Sequence, residues 1–440
     1  MTNSTWTTTL GLVCLLLALA SPGSACGGGH DDVKEWTREE LAELEAKWGF
    51  EWSYTGIGSF AHLDYVKCLT NPAEQYDIAI IGAPFDTAVS YRPVILLIPT
   101  TSIPTSFLPG ARFGPRAIRQ ASARQTSFRG FNPRAGINPY QNWARVIDCG
   151  DMPITPFDND IAREQMTQAF KALGAAPASS SLSRGRPKLV TLGGDHSLSL
   201  PALRALRDVY GQPVRVLHFD GLLSLLFIRL RIIRHLVLGA HCSHTAAHLD
   251  TWDPAEYPSH WGSTHFNHGS MFWMAGQEGL LSNASSAKSV HAGLRTRLSG
   301  NDWADHEADT AQNWVRFSAD AIDDMGTRGL VEAIMSVLGT QDPVYLSVDI
   351  DVLDPAFAPG TGTPEPGGWT TRELIRILRG LEGLNVVGAD VVEVSPAYQG
   401  RGEETALAAA QVVYEIVSSM VKKGLEGMGR DESGEEKMEL

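Results

Sequence analysis

The sequence predicts an α/β protein with a three-layer α/β/α architecture and a mostly parallel central sheet. Short apolar segments recur along the chain, and each is typical of a buried strand that feeds a loop. These segments are residues 76–86, 187–197, 214–220, 289–295, 343–355 and 384–396. Helical patterns alternate with them, for example at 110–122, 199–211 and 370–383. Such alternation is typical of a parallel sheet with helices on both faces.

The composition restricts the kind of partner. Of the 440 residues, 43% are hydrophobic and 20% are charged, which is the balance of a globular protein with a sizeable core. The formal net charge is −14. Phosphate groups of nucleic acids and anionic lipids need a basic surface, so we expect no nucleic-acid partner and no stable membrane association. A small cationic substrate is compatible with this charge.

The N-terminus resembles a secretory signal peptide. An apolar run from Leu10 to Ala20 is followed by small residues with a cleavage site after Ala25, although no Lys or Arg precedes the run. We therefore expect a signal peptide at 1–25 and a secreted protein or one of the secretory pathway. Export would make Asn283, in the tripeptide Asn-Ala-Ser, an acceptor for glycosylation.

Three further segments complete the predicted organisation. A leader and a helix capped by Thr37 occupy 26–75, a single large domain occupies 76–424, and a disordered tail occupies 425–440. The cysteines outside the signal peptide and the segment 221–246 are Cys26, Cys68 and Cys149. Three scattered cysteines allow one disulfide at most, so no disulfide framework is predicted.

Acidic residues and histidines follow three of the predicted strands. His196 stands in Gly-Gly-Asp-His-Ser, Asp220 ends His-Phe-Asp, and Asp349 and Asp351 stand two apart in Ser-Val-Asp-Ile-Asp. Side chains at i and i+2 of a strand share a face, and the carboxyl ends of parallel strands share one edge of a sheet. Adjacent carboxylates repel unless a cation lies between them, so the pattern predicts a divalent metal site.

A segment rich in apolar residues and arginines, 221–246, interrupts a further motif. Without it the chain reads Val-Arg-Val-Leu-His-Phe-Asp-Ala-His-Leu-Asp, which places Asp220, His248 and Asp250 at i, i+2 and i+4. We interpret this segment as a retained intron, and we extend the interpretation to residues 94–109. The alternative is a genuine loop insertion, which loop entropy does not exclude.

With the motifs joined, the chain resembles the ureohydrolase family of arginases and agmatinases. The resemblance rests on Gly-Gly-Asp-His-Ser, Asp-Ala-His-Leu-Asp, Ser-Val-Asp-Ile-Asp-Val-Leu-Asp-Pro and Gly-Ala-Asp-Val-Val-Glu-Val-Ser-Pro, in family order. It implies two Mn²⁺ ions per subunit that ionise one water for attack on a guanidinium carbon, releasing urea and an amine. The metal ligands that it implies are His196, Asp220, His248, Asp250, Asp349 and Asp351.

The resemblance also assigns roles around the substrate. Asp250 would pass a proton to the leaving amine, and His268 would shuttle protons or orient the guanidino group. Glu393 would hold the planar guanidinium through paired hydrogen bonds. From the residues alone, His268 can equally be a surface-loop histidine and Glu393 an ordinary acid at a strand end.

Agmatine, hydrolysed to putrescine and urea in polyamine biosynthesis, is the substrate that the resemblance favours. Phe272, Trp273 and Met274 would line its apolar pocket or else belong to the core. Guanidinobutyrate and arginine are the alternatives, and a zinc deacetylase of similar fold is a rival of different chemistry. A further alternative is an inactive isoform or mis-spliced product whose metal site the interruptions disrupt. Family members assemble as trimers or hexamers, and the same is implied here.

Overall fold

The computed structural model describes residues 36–49, 58–89, 110–183, 185–221, 249–256, 266–284, 286–295, 297–298 and 301–431. The chain separates into two units, Met1–Thr37 and Arg38–Leu440, and every helix and strand described below belongs to the second. The predicted signal peptide and residues 94–109 lie outside the described residues. The same holds for the predicted interruption 221–246 apart from Gly221.

Eight parallel strands form one sheet in the order β2-β1-β3-β8-β7-β4-β5-β6. Their bounds are Ile78–Ala83 (β1), Val146–Asp151 (β2), Lys188–Gly193 (β3), Arg215–Phe219 (β4), Ser289–Leu294 (β5), Trp314–Ser318 (β6), Pro343–Asp349 (β7) and Asn385–Val392 (β8). Strands β1, β4 and β5 are buried along their whole length, as strands covered on both faces must be.

Helices cover both faces of this sheet. Their bounds are Arg38–Trp48 (α1), Gly114–Ala121 (α2), Asn159–Gly174 (α3), Ser199–Tyr210 (α4), Met271–Gln277 (α5), Ala304–Ala311 (α6), Ala321–Leu338 (α7), Thr371–Gly380 (α8) and Glu404–Asp431 (α9). Helices α2, α7, α8 and α9 contribute to one hydrophobic core, and α1, α3, α4 and α5 contribute to another. Two cores separated by one sheet confirm the predicted three-layer α/β/α architecture.

Six of the eight strands were predicted from the sequence, and the two that were missed are the edge strands. Strand β2 contains two aspartates and a cysteine, and most residues of β6 are half-buried or exposed. Neither sequence has the continuous apolar run that identifies a central strand, although β2 is buried along most of its length.

The outer edge of β2 is covered by the chain itself. The peptide N–H of Asp148 donates to the carbonyl of Asp64, and the N–H of Val66 donates to the carbonyl of Asp148. A disulfide joins Cys68 to Cys149 across the same edge, with 5.2 Å between the two Cα atoms. One bridge therefore forms, within the limit that the cysteine count set.

In the part of the chain that the structure describes, no helix combines the length and hydrophobicity needed to cross a bilayer.

Helix α9 continues to Asp431, into the segment 425–440 for which the sequence predicts a disordered tail. Residues 432–440 lie outside the described residues.

Candidate metal centre

The functional side chains lie at the carboxyl ends of four neighbouring central strands. Strands β3, β8, β7 and β4 are consecutive in the sheet. His196 opens a short 3-10 turn after β3, Asp220 follows β4, Asp349 ends β7, and Glu393 follows β8. This edge is where open α/β sheets bind their ligands, because the loops there diverge from a rigid frame.

Two groups of buried side chains at this edge could each hold a metal ion. His196, His218, Asp220 and Asp250 form the first group, and Asp220, Asp349 and Asp351 form the second. Within each group the candidate ligand atoms lie within 4.8 Å of one another. Asp220 belongs to both groups, so one carboxylate can serve two neighbouring ions.

His196 connects the acids of both groups. Its Nδ1 lies 3.1 Å from Oδ2 of Asp250, 3.3 Å from Oδ2 of Asp349 and 3.9 Å from Oδ2 of Asp220. Burial lowers the pKa of the His196 imidazole, but Asp250 and Asp349 outweigh burial and raise it well above its ordinary value. The ring therefore faces a concentration of negative charge.

The pKa values of the carboxyl groups indicate that this site needs positive charge. Burial raises the pKa of Asp220 and of Asp349 well above the ordinary value, and the neighbouring Asp351 raises both further. Burial also raises the pKa of Asp351. Divalent cations would offset this mutual repulsion, and the oxygen and imidazole donors suit a hard or borderline metal such as Mn²⁺. The residues present therefore fit a binuclear metal centre.

The position of Asp351 differs from the one that the sequence predicts. Strand β7 ends at Asp349, and residues Ile350–Val352 form a 3-10 turn, so Asp351 does not lie on the strand as the i and i+2 argument assumed. The backbone N–H of Asp351 instead donates to Oδ1 of Asp349 over 2.9 Å. The two carboxylates still meet, but through a turn rather than through the pleat.

Two of the carboxylates lie on strained backbone. Asp250 has φ = 56° and Glu393 has φ = 62°, both in the left-handed region that non-glycine residues rarely adopt. Such conformations persist where the surrounding structure determines them, and they concentrate at functional sites. The backbone N–H of His196 donates to Oε1 of Glu393 over 2.9 Å, which joins the β3 and β8 loops.

His268 is buried beside Glu393 and is not a surface histidine. Its Nδ1 lies 3.5 Å from Oε1 of Glu393. Burial lowers the pKa of His268, but Glu393, Asp250 and Asp195 outweigh it and raise the pKa above its ordinary value. His268 and Glu393 thus lie together next to the metal-binding groups.

One predicted ligand is not described, and one candidate ligand was not predicted. His248 lies outside the described residues. His218, which the sequence did not predict as a ligand, belongs to the first metal-binding group. The signal for it was present, because His218 stands two residues before Asp220 and so shares its side of the strand. Phe272 is core, with its ring 5.0 Å from that of His218.

Comparison with known proteins identifies the family. The Arginase family model matches residues 76–221 and 240–418. The chain belongs to the arginase family. Two relatives are "Putative agmatinase 3" of Schizosaccharomyces pombe, 42% identical over 84% of this chain and 81% of that protein, and "Putative agmatinase 1" of the same organism, 39% identical over 94% and 96%. Among solved structures, proclavaminate amidino hydrolase from Streptomyces clavuligerus has a TM-score of 0.63 and 31% identity, covering 85% of this chain and all of that one.

Membership of this family identifies the class of reaction that the site catalyses. The enzyme is a hydrolase that acts on carbon–nitrogen bonds of linear amidines, converting a guanidino compound to urea and an amine. The family-model match omits residues 222–239, which lie within the predicted interruption 221–246. The family model therefore matches the sequence on both sides of residues 222–239 but not these residues.

Proposed function

We propose that the enzyme hydrolyses agmatine to putrescine and urea with two Mn²⁺ ions bound per subunit. The observation that carries the proposal is the pair of buried metal-binding groups that share Asp220, with His268 and Glu393 beside them. The names of the two Schizosaccharomyces pombe relatives support agmatine as the substrate.

His196, Asp220 and Asp250 would hold one ion, and Asp220, Asp349 and Asp351 would hold the other, with His248 as a further ligand. When bound, such an ion pair lowers the pKa of a water molecule and so supplies a nucleophile at neutral pH. The chain's own contribution is to fix these donors at the carboxyl ends of β3, β4 and β7 and to exclude bulk water from them. All the described members of this set are at most 2% exposed.

Substrate binding and proton transfer fall to the neighbouring side chains. The Glu393 carboxylate is placed to accept paired N–H bonds from a planar guanidinium, which would fix the carbon that water attacks. After the water oxygen bonds to that carbon, the bond to the alkyl nitrogen breaks and the nitrogen takes a proton. Asp250 is the proposed donor of that proton, and His268 is the proposed shuttle to solvent.

The decisive experiment is an assay of urea release from agmatine, arginine and guanidinobutyrate with Mn²⁺ present. We expect agmatine to be the best substrate by kcat/KM. Two proteins are compared, the full chain and a version without 94–109 and 221–246. Activity in the shortened version alone would support the intron interpretation and make the full chain the inactive isoform. Absence of urea from both versions with all three substrates would refute the proposal.

We also propose that the protein enters the secretory pathway and that the mature chain forms a trimer or hexamer. The Cys68–Cys149 disulfide supports export, since such bonds persist mainly in oxidising compartments. The side chain of Asn283 is exposed, as a glycosylation acceptor must be. A mobility shift on enzymatic deglycosylation that Asn283→Gln abolishes would support export, and retention of residues 1–25 without a shift would refute it. Light scattering would test the assembly.

A further inference from the structure

A row of buried polar side chains crosses four strands beneath the metal centre. The strand register places His291 of β5 beside His218 of β4, His218 beside Ser347 of β7, and Ser347 beside Asp390 of β8. All four residues are fully buried. Polar groups are costly inside a core unless they are hydrogen-bonded to one another, so a continuous row of them calls for a physical explanation.

One arm of the row reaches His196. Nε2 of His196 lies 2.7 Å from Oγ of Ser347, and that hydroxyl donates to Oδ1 of Asp390 over 2.7 Å. The arm therefore holds one nitrogen of the imidazole, which directs Nδ1 towards Asp250 and Asp349. Metal-binding histidines are commonly oriented in this way by a partner on the far nitrogen.

The other arm has the same form and ends at His218. Nδ1 of His218 lies 2.8 Å from Nδ1 of His291, and Nε2 of His291 lies 3.2 Å from Oδ1 of Asp309 on helix α6. The ring of Trp314 stacks on His291 with 3.9 Å between the ring centroids, which fixes the plane of the imidazole. The far nitrogen of His218, Nε2, lies 3.2 Å from Oδ2 of Asp220, the carboxylate common to both metal-binding groups.

Asp309 acts on the site by a second route. Its Oδ1 also accepts a 2.8 Å hydrogen bond from the hydroxyl of Thr251, the residue that follows Asp250. Arg316 pairs with the other carboxylate oxygen of Asp309. One fully buried carboxylate thus holds the ring that contacts Asp220 and the strained segment that carries Asp250.

We propose that Asp309, His291 and His218 form a positioning array that sets the metal affinity of the centre by fixing Asp220 and Asp250. The inference rests on the proposed metal centre and goes beyond it, since none of the three is among the ligands that the family resemblance implies. Asp309 and His291 act through other residues, and His218 acts by holding Asp220. Partners that orient metal ligands typically change metal affinity by about 10–100-fold.

The test measures the dissociation constant for Mn²⁺ on the metal-stripped full chain, from the electron paramagnetic resonance signal of free Mn²⁺. The variants are His218→Leu, His291→Leu and Asp309→Asn. The matched control is Thr167→Ala, which removes a buried hydroxyl of helix α3 whose bond is to the carbonyl of Arg163. We expect each array variant to bind Mn²⁺ about 10–100-fold more weakly than the parent, and the control to bind like the parent.

His218→Gln separates positioning from direct ligation. The Gln side chain can place an N–H donor near the position of Nε2 but is a poor metal ligand. Recovery of at least half of the affinity lost in His218→Leu, on a logarithmic scale, supports positioning. Affinity as low as that of His218→Leu would instead make His218 a metal ligand and overturn the proposal as stated.

The remaining outcomes separate this inference from the proposed function. Array variants with the parent's Mn²⁺ affinity overturn the array, whatever their activity. A parent chain that binds Mn²⁺, with variants that bind it more weakly, leaves the array standing even if neither the parent nor the version without 94–109 and 221–246 releases urea, which refutes the proposed function. A parent chain that binds no Mn²⁺ overturns the array, and the proposed function then depends on urea release by the version without 94–109 and 221–246. Melting temperatures of the metal-free proteins identify any variant that fails to fold, and Asp309→Asn, with the smallest change in shape, then decides.

Discussion

Nδ1 of His196 lies 3.1 Å from Oδ2 of Asp250, although the two residues stand on opposite sides of the predicted interruption. Asp250 reaches this position through a left-handed backbone conformation, and Thr251 next to it is tied to Asp309. The contact shows that the chain after the interruption returns to the metal centre. The full chain therefore brings Asp250 to His196 with residues 221–246 present in its sequence.

Replacing Asp351 by Asn should remove one ion. The amide keeps the shape of the side chain but loses the charge that the second metal-binding group needs, so we expect manganese content to fall from about two ions to about one per chain. Activity on agmatine should fall at least about 10²-fold, because both ions are needed to activate the water. Metal analysis and urea release measure the two effects.

The control for that experiment is Asp323→Asn, which removes an exposed carboxylate at the start of helix α7. Asp323→Asn should leave the manganese content and the activity on agmatine unchanged. Full metal content together with full activity in Asp351→Asn would contradict the assignment of this residue to the centre.

Glu393→Gln should weaken recognition of the guanidinium. The amide can still accept the backbone N–H of His196, so the loop should keep its conformation, but the charge opposite the substrate is lost. A hydrogen bond to a charged group contributes about 1.5–3 kcal/mol, so kcat/KM for agmatine should fall by roughly 10–100-fold. Steady-state kinetics check this, with the exposed Glu307→Gln as control. A value within twofold of the parent's would argue against a substrate contact.

Asp309 should make stability depend on pH in a defined direction. Burial raises the pKa of Asp309, but His291, Arg316 and Thr251 outweigh burial and lower it below the ordinary value. A carboxyl whose folded-state pKa is depressed contributes stability above its unfolded-state pKa of about 3.9, and this is lost as the pH falls through the lower folded-state value. The stability advantage of the parent over Asp309→Asn should therefore be full near neutral pH and shrink in strong acid.

The measurement for this prediction is the free energy of unfolding of the metal-free proteins in urea, between about pH 7 and the most acidic pH at which both fold. We expect a difference of about 1–3 kcal/mol near neutrality, the cost of weakening a buried charged network. A difference that grows as the pH falls would have the wrong sign and would exclude the stabilising role of the carboxylate.

Loss of the Cys68–Cys149 disulfide should reduce stability without altering chemistry. The bond joins residues 81 positions apart, and removal of a native disulfide typically costs about 2–5 kcal/mol. Because β2 lies at the sheet edge and the metal centre follows β3, β8, β7 and β4, KM for agmatine should be unchanged. Unfolding and kinetics of Cys149→Ser, compared with the parent before and after reduction, test both statements.

The sequence predicted the central strands and the acidic residues and histidine at their ends, because each of these follows from a single local pattern. The central strands are continuous apolar runs, and His196, Asp220, Asp349 and Asp351 stand directly at their ends, where parallel strands deliver ligands. The family motifs added Asp250, His268 and Glu393. Each of these seven is buried at the predicted edge of the sheet.

The missed parts depend on tertiary contacts that no short pattern encodes. Asp309 lies on helix α6, whose sequence of acids and alanines resembles a solvated helix, yet the side chain points inward to His291 and Thr251. His291 stands in a predicted strand, but its contact with His218 depends on the register of β5 against β4. The turn at Asp351 was missed because the end of a strand depends on the neighbouring strands as much as on the local sequence.

The covered edge of β2 also limits how subunits can meet. With both peptide groups of Asp148 already bonded to Asp64 and Val66, the middle of this strand offers no template for a strand from another molecule. An interface on this flank must therefore be built from side chains, and it cannot extend the sheet from one copy into the next. The same arrangement protects the folded chain against the intermolecular strand pairing through which exposed sheet edges begin to aggregate.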